Sequence, residues 1–228
     1  MGDKQIMPQD TRFAAICMGF FGGALDVFCH IRFHALLATQ TGNIVLLIAD
    51  LKPDNLYDTV IKLLSIVFFS VGFVSGIYFK AHARTAYWRT YLILPTVISG
   101  AILPLVSHNA FIWVPILGWG TGLLMLTFTG VHIENHAVTY MMTSGNYRKM
   151  LGAWYHYSLE GKKDGDTKRQ AINYTIVVVS FVIGALSASL CERYIGDFTM
   201  SVISVSLLLV VIYYTYIVHR DHLEKTNV

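Results

Sequence analysis

Charged residues are scarce in this 228-residue sequence, and their scarcity excludes an ordinary soluble domain. Only 14% of the residues are Asp, Glu, Lys or Arg, whereas about 25% is typical of soluble globular proteins. Hydrophobic residues make up 54% of the chain, and the mean hydropathy is +0.53. A chain of this composition is expected to be surrounded by lipid.

The sequence also lacks a disulfide framework and the motifs of soluble enzymes. The three cysteines, Cys17, Cys29 and Cys191, are odd in number, and at least two lie inside apolar stretches where a thiol behaves as a small hydrophobe. There is no Walker loop, Rossmann glycine motif, nucleophile elbow or Cys-x-x-Cys. We therefore expect no enzyme activity, no ATP-driven transport, and no cofactor or metal. The basic residues are spread over several loops, so no nucleic-acid partner is expected.

Long apolar stretches are abundant, and each is long enough to cross a bilayer core of about 30 Å as a helix. They lie near residues 13–33, 57–79, 90–107, 111–132, 170–190 and 197–218. None shows the alternating pattern of a membrane β-barrel. The fold class is therefore predicted to be all-α integral membrane, with six transmembrane helices.

The lysines and arginines predict the orientation, because these residues concentrate in cytoplasmic loops. In a six-helix topology, thirteen of the seventeen fall on the side of the two termini and of the second and fourth loops. The four on the other side are Arg32, Lys52, Lys62 and Arg193. Both termini are therefore predicted to be cytoplasmic.

Two similar stretches indicate an internal repeat. Thr41-Gly42-Asn43 follows the first predicted span, and a Thr-Ser-Gly-Asn stretch that ends at Asn146 follows the fourth. Because each half would hold three helices, the second half would enter the membrane upside down. We predict two inverted-topology repeats, residues 1–107 and 108–228, within one membrane domain.

Small residues recur in the second predicted span of each half. Gly72-x-x-x-Gly76 in the first half matches Gly184-x-x-x-Ala188 in the second. Such a spacing lets two helices approach closely.

The two Thr-Gly-Asn-like stretches suit a binding site at membrane depth. Glycine permits a break in a helix, while threonine and asparagine can bond freed backbone groups or a ligand. Turn chemistry alone is the alternative interpretation, because Gly-Asn is common in loops. The residues proposed to contact a solute or ion are Asp26, Thr41, Gly42, Asn43, Thr143, Ser144 and Asn146.

Asp26 is the only carboxylate deep inside a predicted span, where an ionised aspartate costs about 2.5–3.5 kcal/mol on insertion scales. It could be a protonated or hydrogen-bonded packing residue, or it could face a polar cavity and bind a cation or proton. We favour the cavity, because carboxylates inside membranes usually serve a transport pathway.

Four histidines form two pairs at helical i, i+4 spacing, and Glu134 lies between the members of the second pair. A metal or haem site, a proton relay and a plain interfacial position are the three readings, and the interfacial one is favoured. The relay would comprise His30, His34, His132, Glu134 and His136.

The stretch that joins Gly23-Ala-Leu-Asp26 to Thr41-Gly42-Asn43 resembles the signature of the YoaK-like family of small bacterial multi-pass membrane proteins. The resemblance covers most of the chain. In the second half, Thr-Ser-Gly stands where the family tends to have Thr-Gly, and Glu134-Asn135 where it tends to have Gln-Asn. The resemblance implies a bacterial cytoplasmic (inner) membrane protein with a transporter-like layout and no settled activity.

These observations predict a secondary transporter or permease for an unknown small solute, with its site between the two halves. One alternative is a membrane-embedded metal- or haem-binding protein or enzyme built on the four histidines. Another is a non-transporting partner subunit that assembles through its Gly-x-x-x-Gly faces. The bilayer is the expected surrounding, and a homo-oligomer is left open.

Overall fold

The computed structural model describes residues 6–51, 55–158 and 165–226. These residues form eight α-helices and one short antiparallel hairpin, preceded by a 3-10 turn at Pro8–Asp10. The helices are α1 Arg12–Phe33, α2 Gln40–Ala49, α3 Leu56–Ala81, α4 Trp88–Val106, α5 Ala110–Thr127, α6 Ser144–Ser158, α7 Gly165–Ile195 and α8 Phe198–Arg220. The hairpin strands are β1 His132–Ile133 and β2 His136–Ala137.

Six of the helices, α1, α3, α4, α5, α7 and α8, are long and apolar enough to cross a membrane. A helix suits this environment because it satisfies its own backbone hydrogen bonds where no water is available. Their outer faces carry large apolar side chains in the open, such as Val67, Val71 and Val74 on α3. The prediction of an all-α chain with six spanning helices is confirmed.

The fourth predicted span, 111–132, begins within one residue of α5 but ends five residues too late. Helix α5 ends at Thr127, and the chain turns at Gly130, whose φ of +79° suits glycine. His132 and His136 therefore lie on the two hairpin strands, and Glu134 occupies the turn between them. The prediction that His132 and His136 share a helix face is wrong.

Helices α1 and α7 pack closely along their length and run in the same direction. A Cβ atom placed on Gly19 would lie 2.9 Å from the carbonyl oxygen of Val177, and one on Gly23 would lie 2.0 Å from that of Phe181. Gly184 of α7 has the same relation to Phe20, at 2.0 Å. The two backbones are in contact, which only small residues allow.

Helices α3 and α5 pack in the same way. A Cβ atom on Gly122 would lie 2.2 Å from the carbonyl oxygen of Phe69, and one on Gly72 would lie 2.0 Å from that of Trp119. The first helix of each predicted half thus packs along the second spanning helix of the other half. The halves are interleaved rather than side by side. Their inverted relation stays a prediction.

Helices α4 and α8 run antiparallel and complete the bundle. Gly100 lies beside Ser204, while Thr90 Oγ1 is 3.0 Å from Thr215 Oγ1. At the end of the bundle where α1 begins, Met7 packs with Ala86. We call this the Arg12 end. At the other end, which we call the Phe33 end, Arg32 pairs with residues around the α7–α8 connection.

Candidate functional site

Asp26 binds the chain segment that follows its own helix. After Phe33 the backbone turns at His34 (φ +53°) and folds back along α1 through residues 34–39, which we call the first corner. The amides of Leu37, Ala38 and Thr39 donate to Asp26 Oδ1 at 2.9, 2.6 and 3.3 Å.

The Thr39 hydroxyl donates to the other carboxylate oxygen of Asp26. Asp26 is 4% exposed, and these four donors replace the water that its charge would otherwise need. Of the two interpretations of Asp26, a hydrogen-bonded packing residue or a residue facing a polar cavity, its contacts match the first. Its carboxylate ties the first corner to the middle of α1.

Asn43 fixes the first corner from the side of α2. Its Oδ1 accepts from the amide of Leu36 at 2.7 Å, and its Nδ2 donates to the Leu36 carbonyl at 2.7 Å. Ser65 of α3 donates to the same carbonyl at 2.6 Å. Asn43 is fully buried. This clamp replaces the helical hydrogen bonds that the broken backbone loses.

Asn146 makes the equivalent clamp in the second half. Its Oδ1 accepts from the amide of Thr139 at 3.2 Å, and its Nδ2 donates to the Thr139 carbonyl at 2.5 Å. In both halves the clamped residue lies seven positions before the asparagine. We call residues 138–143 the second corner. The recurrence noted in the sequence therefore has a shared structural basis.

The two corners approach α1 from its opposite ends. The second corner is held at the Arg12 end, where the Tyr140 hydroxyl donates to the Gln9 carbonyl at 3.0 Å. Met141 (φ +64°) reaches the middle of the helix, where a Cβ atom on Gly22 would lie 2.5 Å from its Cα. Gly22 is one helical turn, about 6 Å, from Asp26. Irregular backbone from both ends thus meets α1 within about one turn.

The glycines of the two motifs do not form the breaks. Gly42 lies in the first turn of α2, and Gly145 in the first turn of α6. The residues with positive φ in the corners are His34 and Met141. The expectation that a motif glycine breaks the helix is wrong.

The remaining motif residues lie at the edges of the corners. Thr41 and Ser144 are exposed. Thr143 is half-buried, and its hydroxyl has no hydrogen-bond partner among the described residues. The structure therefore joins Asp26, Asn43 and Asn146 to the corners, and leaves Thr41 and Ser144 at the surface.

The first histidine pair lies at the Phe33 end of the bundle. His30 and His34 are both exposed, with ring centroids 6.5 Å apart. His34 Nδ1 lies 3.0 Å from Asp58 Oδ2. These contacts are those of surface residues near a helix end.

Glu134 and His136 belong to a polar network at the Arg12 end. Arg12 lies 3.2 Å from Glu134 and donates to Asn173 Oδ1 at 2.9 Å. Asn173 Nδ2 is 3.3 Å from Glu134 and 3.4 Å from His136 Nδ1. His132 is exposed. The network ties the hairpin to α1 and α7, so the two histidine pairs lie at opposite ends of the bundle.

Across residues 6–51, 55–158 and 165–226, no group of three or more His, Cys, Asp or Glu side chains is placed to hold a metal ion. A cavity of about 50 Å³ lies between α1, α7 and α8, beside Ala24, Ser187 and Thr199. It has room for a water molecule or two and not for a solute.

Several residues of these clusters escaped the sequence analysis. Ser65, Asn173 and Gln9 carry no motif, because each acts on a segment far away in sequence. Arg89 was counted only toward topology, yet it is 5% exposed. The sequence does contain one indication that Arg89 is buried, because this arginine is the second residue of a spanning helix.

The comparisons with known proteins give a family and no function. The profile of the family described as "Protein of unknown function (DUF1275)" matches residues 14–214. No curated protein and no solved structure matches the chain.

Proposed function

The chain belongs to the DUF1275 family of proteins of unknown function, and we propose that it is a secondary transporter or permease for a small solute. The observation that carries this proposal is the meeting of two irregular corners on the middle of α1. Non-helical backbone at membrane depth is typical of transporter sites, where it lies at the interface of repeated halves.

Asp26 would couple solute movement to a proton. While it is ionised, its charge strengthens the bonds to three amides and holds the first corner on α1. A proton on the carboxylate removes that charge and weakens the bonds. The corner could then move away from α1, and the interior would open toward the Phe33 end.

The proposal keeps the two inverted halves, because their packing and their asparagine clamps correspond. It assigns no catalytic step to the chain. It places the protein in a bacterial cytoplasmic membrane with both termini in the cytoplasm, as the distribution of basic residues and the YoaK-like resemblance indicate.

Transport by reconstituted protein tests the role of Asp26. The solute is first chosen as the member of a metabolite panel that raises the melting temperature most. In vesicles, Asp26→Asn should keep solute counterflow within about threefold of wild type, because its side chain resembles the protonated acid. Accumulation driven by a proton gradient should fall at least tenfold. Loss of accumulation with counterflow retained is the behaviour of a residue that carries the proton and does not hold the solute.

Asp58→Asn is the matched control, since Asp58 lies near the same corner and contacts His34 rather than the corner amides. It should leave both activities within twofold. An unfolded variant would lose counterflow as well, so misfolding is distinguishable from uncoupling. Proton-driven accumulation that survives Asp26→Asn unchanged, or the absence of any transported solute in the panel, contradicts the proposal.

A further inference from the structure

A buried arginine lies at the Arg12 end without a carboxylate partner. Arg89, at the start of α4, is 5% exposed, and its Nη1 has no hydrogen-bond partner in the part of the chain that the structure describes. Its Nε donates to the Thr127 carbonyl at 3.1 Å. Within the same residues, no acidic side chain lies within ion-pair distance of it. A buried guanidinium without a counterion is costly.

Neutral groups provide its other contacts. The guanidinium lies over the ring of Trp88, 4.5 Å from the ring centroid, and it interacts with the hydroxyl of Tyr214. Lys80 lies over the same indole at 5.8 Å, so a second positive charge is near. Neither contact neutralises the arginine.

The side-chain amide of Gln9 is a second buried polar group without hydrogen-bond partners among the described residues. The residue is 1% exposed, and both its Oε1 and its Nε2 lack a partner among the described residues. The Tyr140 hydroxyl donates to the Gln9 carbonyl, and the Tyr140 ring packs on Phe128, next to the Thr127 carbonyl that Arg89 binds.

Met7, two residues before Gln9, links the same segment to Arg89 along a second path. Met7 packs with Ala86 and Tyr214. The Ala86 carbonyl accepts from the Tyr214 hydroxyl at 3.3 Å and from the Arg89 amide at 3.5 Å. Gln9 and Arg89 are thus two unfilled polar groups of one cluster. We call Gln9, Arg89, Thr127, Tyr140 and Tyr214 the Arg89 cluster.

We propose that the Arg89 cluster binds a small oxyanion, the carboxylate or phosphate group of a solute that also carries a hydroxyl or amine. A guanidinium matches the planar pair of oxygens in such groups. The amide of Gln9 would donate to the anion through Nε2 and accept from the hydroxyl or amine through Oε1.

The cluster lies where the second corner meets the segment Pro8–Asp10. A solute bound there would be next to the corner that reaches Gly22. The inference rests on the proposed function in taking the oxyanion to be the solute. Its test measures binding alone, so an Asp26→Asn variant that transports normally would leave it untouched.

The test is the melting temperature of the detergent-purified full chain in acetate, glycolate or inorganic phosphate, against sodium chloride at equal ionic strength. A ligand at concentration c that binds only the folded form raises apparent stability by RT ln(1 + c/Kd), so the rise continues with the logarithm of the ligand concentration above Kd. We expect the melting temperature to rise in this way with acetate, glycolate and phosphate, which gives a fitted affinity for each anion. Arg89→Gln should weaken the fitted affinity about tenfold or more, the usual scale for a lost charge-assisted bond.

Arg84→Gln is the matched control, because Arg84 is an exposed arginine in the loop just before α4. It should change the affinity less than about twofold. No oxyanion effect in the wild type, or equal effects in the wild type and Arg89→Gln, overturns the proposal.

A Gln9→Leu variant protects the test against misfolding of Arg89→Gln. The Gln9 amide makes no hydrogen bond to the described residues, so its replacement should not lower the melting temperature without ligand. It should weaken glycolate about fivefold and acetate less than about twofold, since only glycolate offers a hydroxyl to Oε1. A uniform response to both anions contradicts the role given to Gln9.

A phospholipid headgroup offers the same phosphate oxygens as free phosphate. A second melting experiment distinguishes these two ligands. Micelles that contain phosphatidylglycerol are compared with micelles that contain phosphatidylcholine. Stabilisation by phosphatidylglycerol that requires Arg89, with no response to the three soluble anions, would mean that a membrane lipid occupies the cluster. That result overturns the solute proposal.

Discussion

A carboxylate inside a spanning helix is costly unless hydrogen-bond donors replace water, and Asp26 receives four of them. All four come from residues 37–39, which the chain brings back only after it turns at His34. The sequence locates the carboxylate but not its partners. A left-handed histidine carries no signal comparable to that of glycine.

The asparagine clamps lead to a prediction that treats both halves alike. Asn43→Ala and Asn146→Ala each remove the two hydrogen bonds that hold the amide and the carbonyl of the clamped residue. Each should lower the free energy of unfolding by about 1–3 kcal/mol, the net scale of two lost hydrogen bonds. Reversible unfolding in mixed micelles measures the loss.

Asn135→Ala is the control for the clamps, because Asn135 lies exposed in the hairpin turn. Its cost should stay below about 0.5 kcal/mol. If Asn43→Ala is costly and Asn146→Ala is as mild as this control, the two corners are not equivalent.

At the scale of elements, the sequence predicts those helices whose apolar stretch is long enough to span the bilayer. All six spanning helices were found, because about 20 apolar residues in a row leave little alternative in a bilayer. The end of α5 was missed because apolar residues such as Phe128 and Val131 continue past Thr127. Helix α2 was missed because ten residues are too few to give a span.

The small-residue spacings were recognised, but their partners were not. Gly72 and Gly184 were matched as equivalent positions, whereas each contacts the first helix of the other half. Sequence spacing identifies a face that allows close approach and does not say which helix uses it. The interleaving of the halves therefore had to come from the structure.

Gly23→Ala tests the contact between α1 and α7. The added methyl group would lie 2.0 Å from the carbonyl oxygen of Phe181, so the helix backbones must separate. The free energy of unfolding should fall by about 1–3 kcal/mol, as in other overpacked cores. Unfolding in mixed micelles measures this change as well.

Gly152→Ala, in the middle of α6, is the opposite control. Nothing lies within 4 Å of a Cβ atom placed there, so the alanine should be neutral or stabilise by up to about 1 kcal/mol. Equal effects of the two substitutions would mean that the close contact at Gly23 does not form in the membrane.

At the scale of the whole molecule, the structure separates the basic residues into two groups. Those at the Arg12 end include Arg12, Lys80, Arg89 and Arg220, and those at the Phe33 end include Arg32. Lys4, Lys52, Lys162 and Lys163 lie outside the described residues. The grouping follows from the order of the spanning helices, which is why the sequence could predict it.

The central claim is that the two corners face opposite sides of the membrane and meet between them. Single cysteines at His34 and Thr139, which are exposed where the first corner begins at the Phe33 end and where the second begins at the Arg12 end, test it most directly. They are introduced after Cys17, Cys29 and Cys191 have been replaced. A thiol reagent that cannot cross the membrane is applied to intact cells and to inverted vesicles.

We expect the cysteine at position 34 to react only in intact cells and the cysteine at position 139 only in inverted vesicles. Reaction of both positions from the same side would contradict the claim.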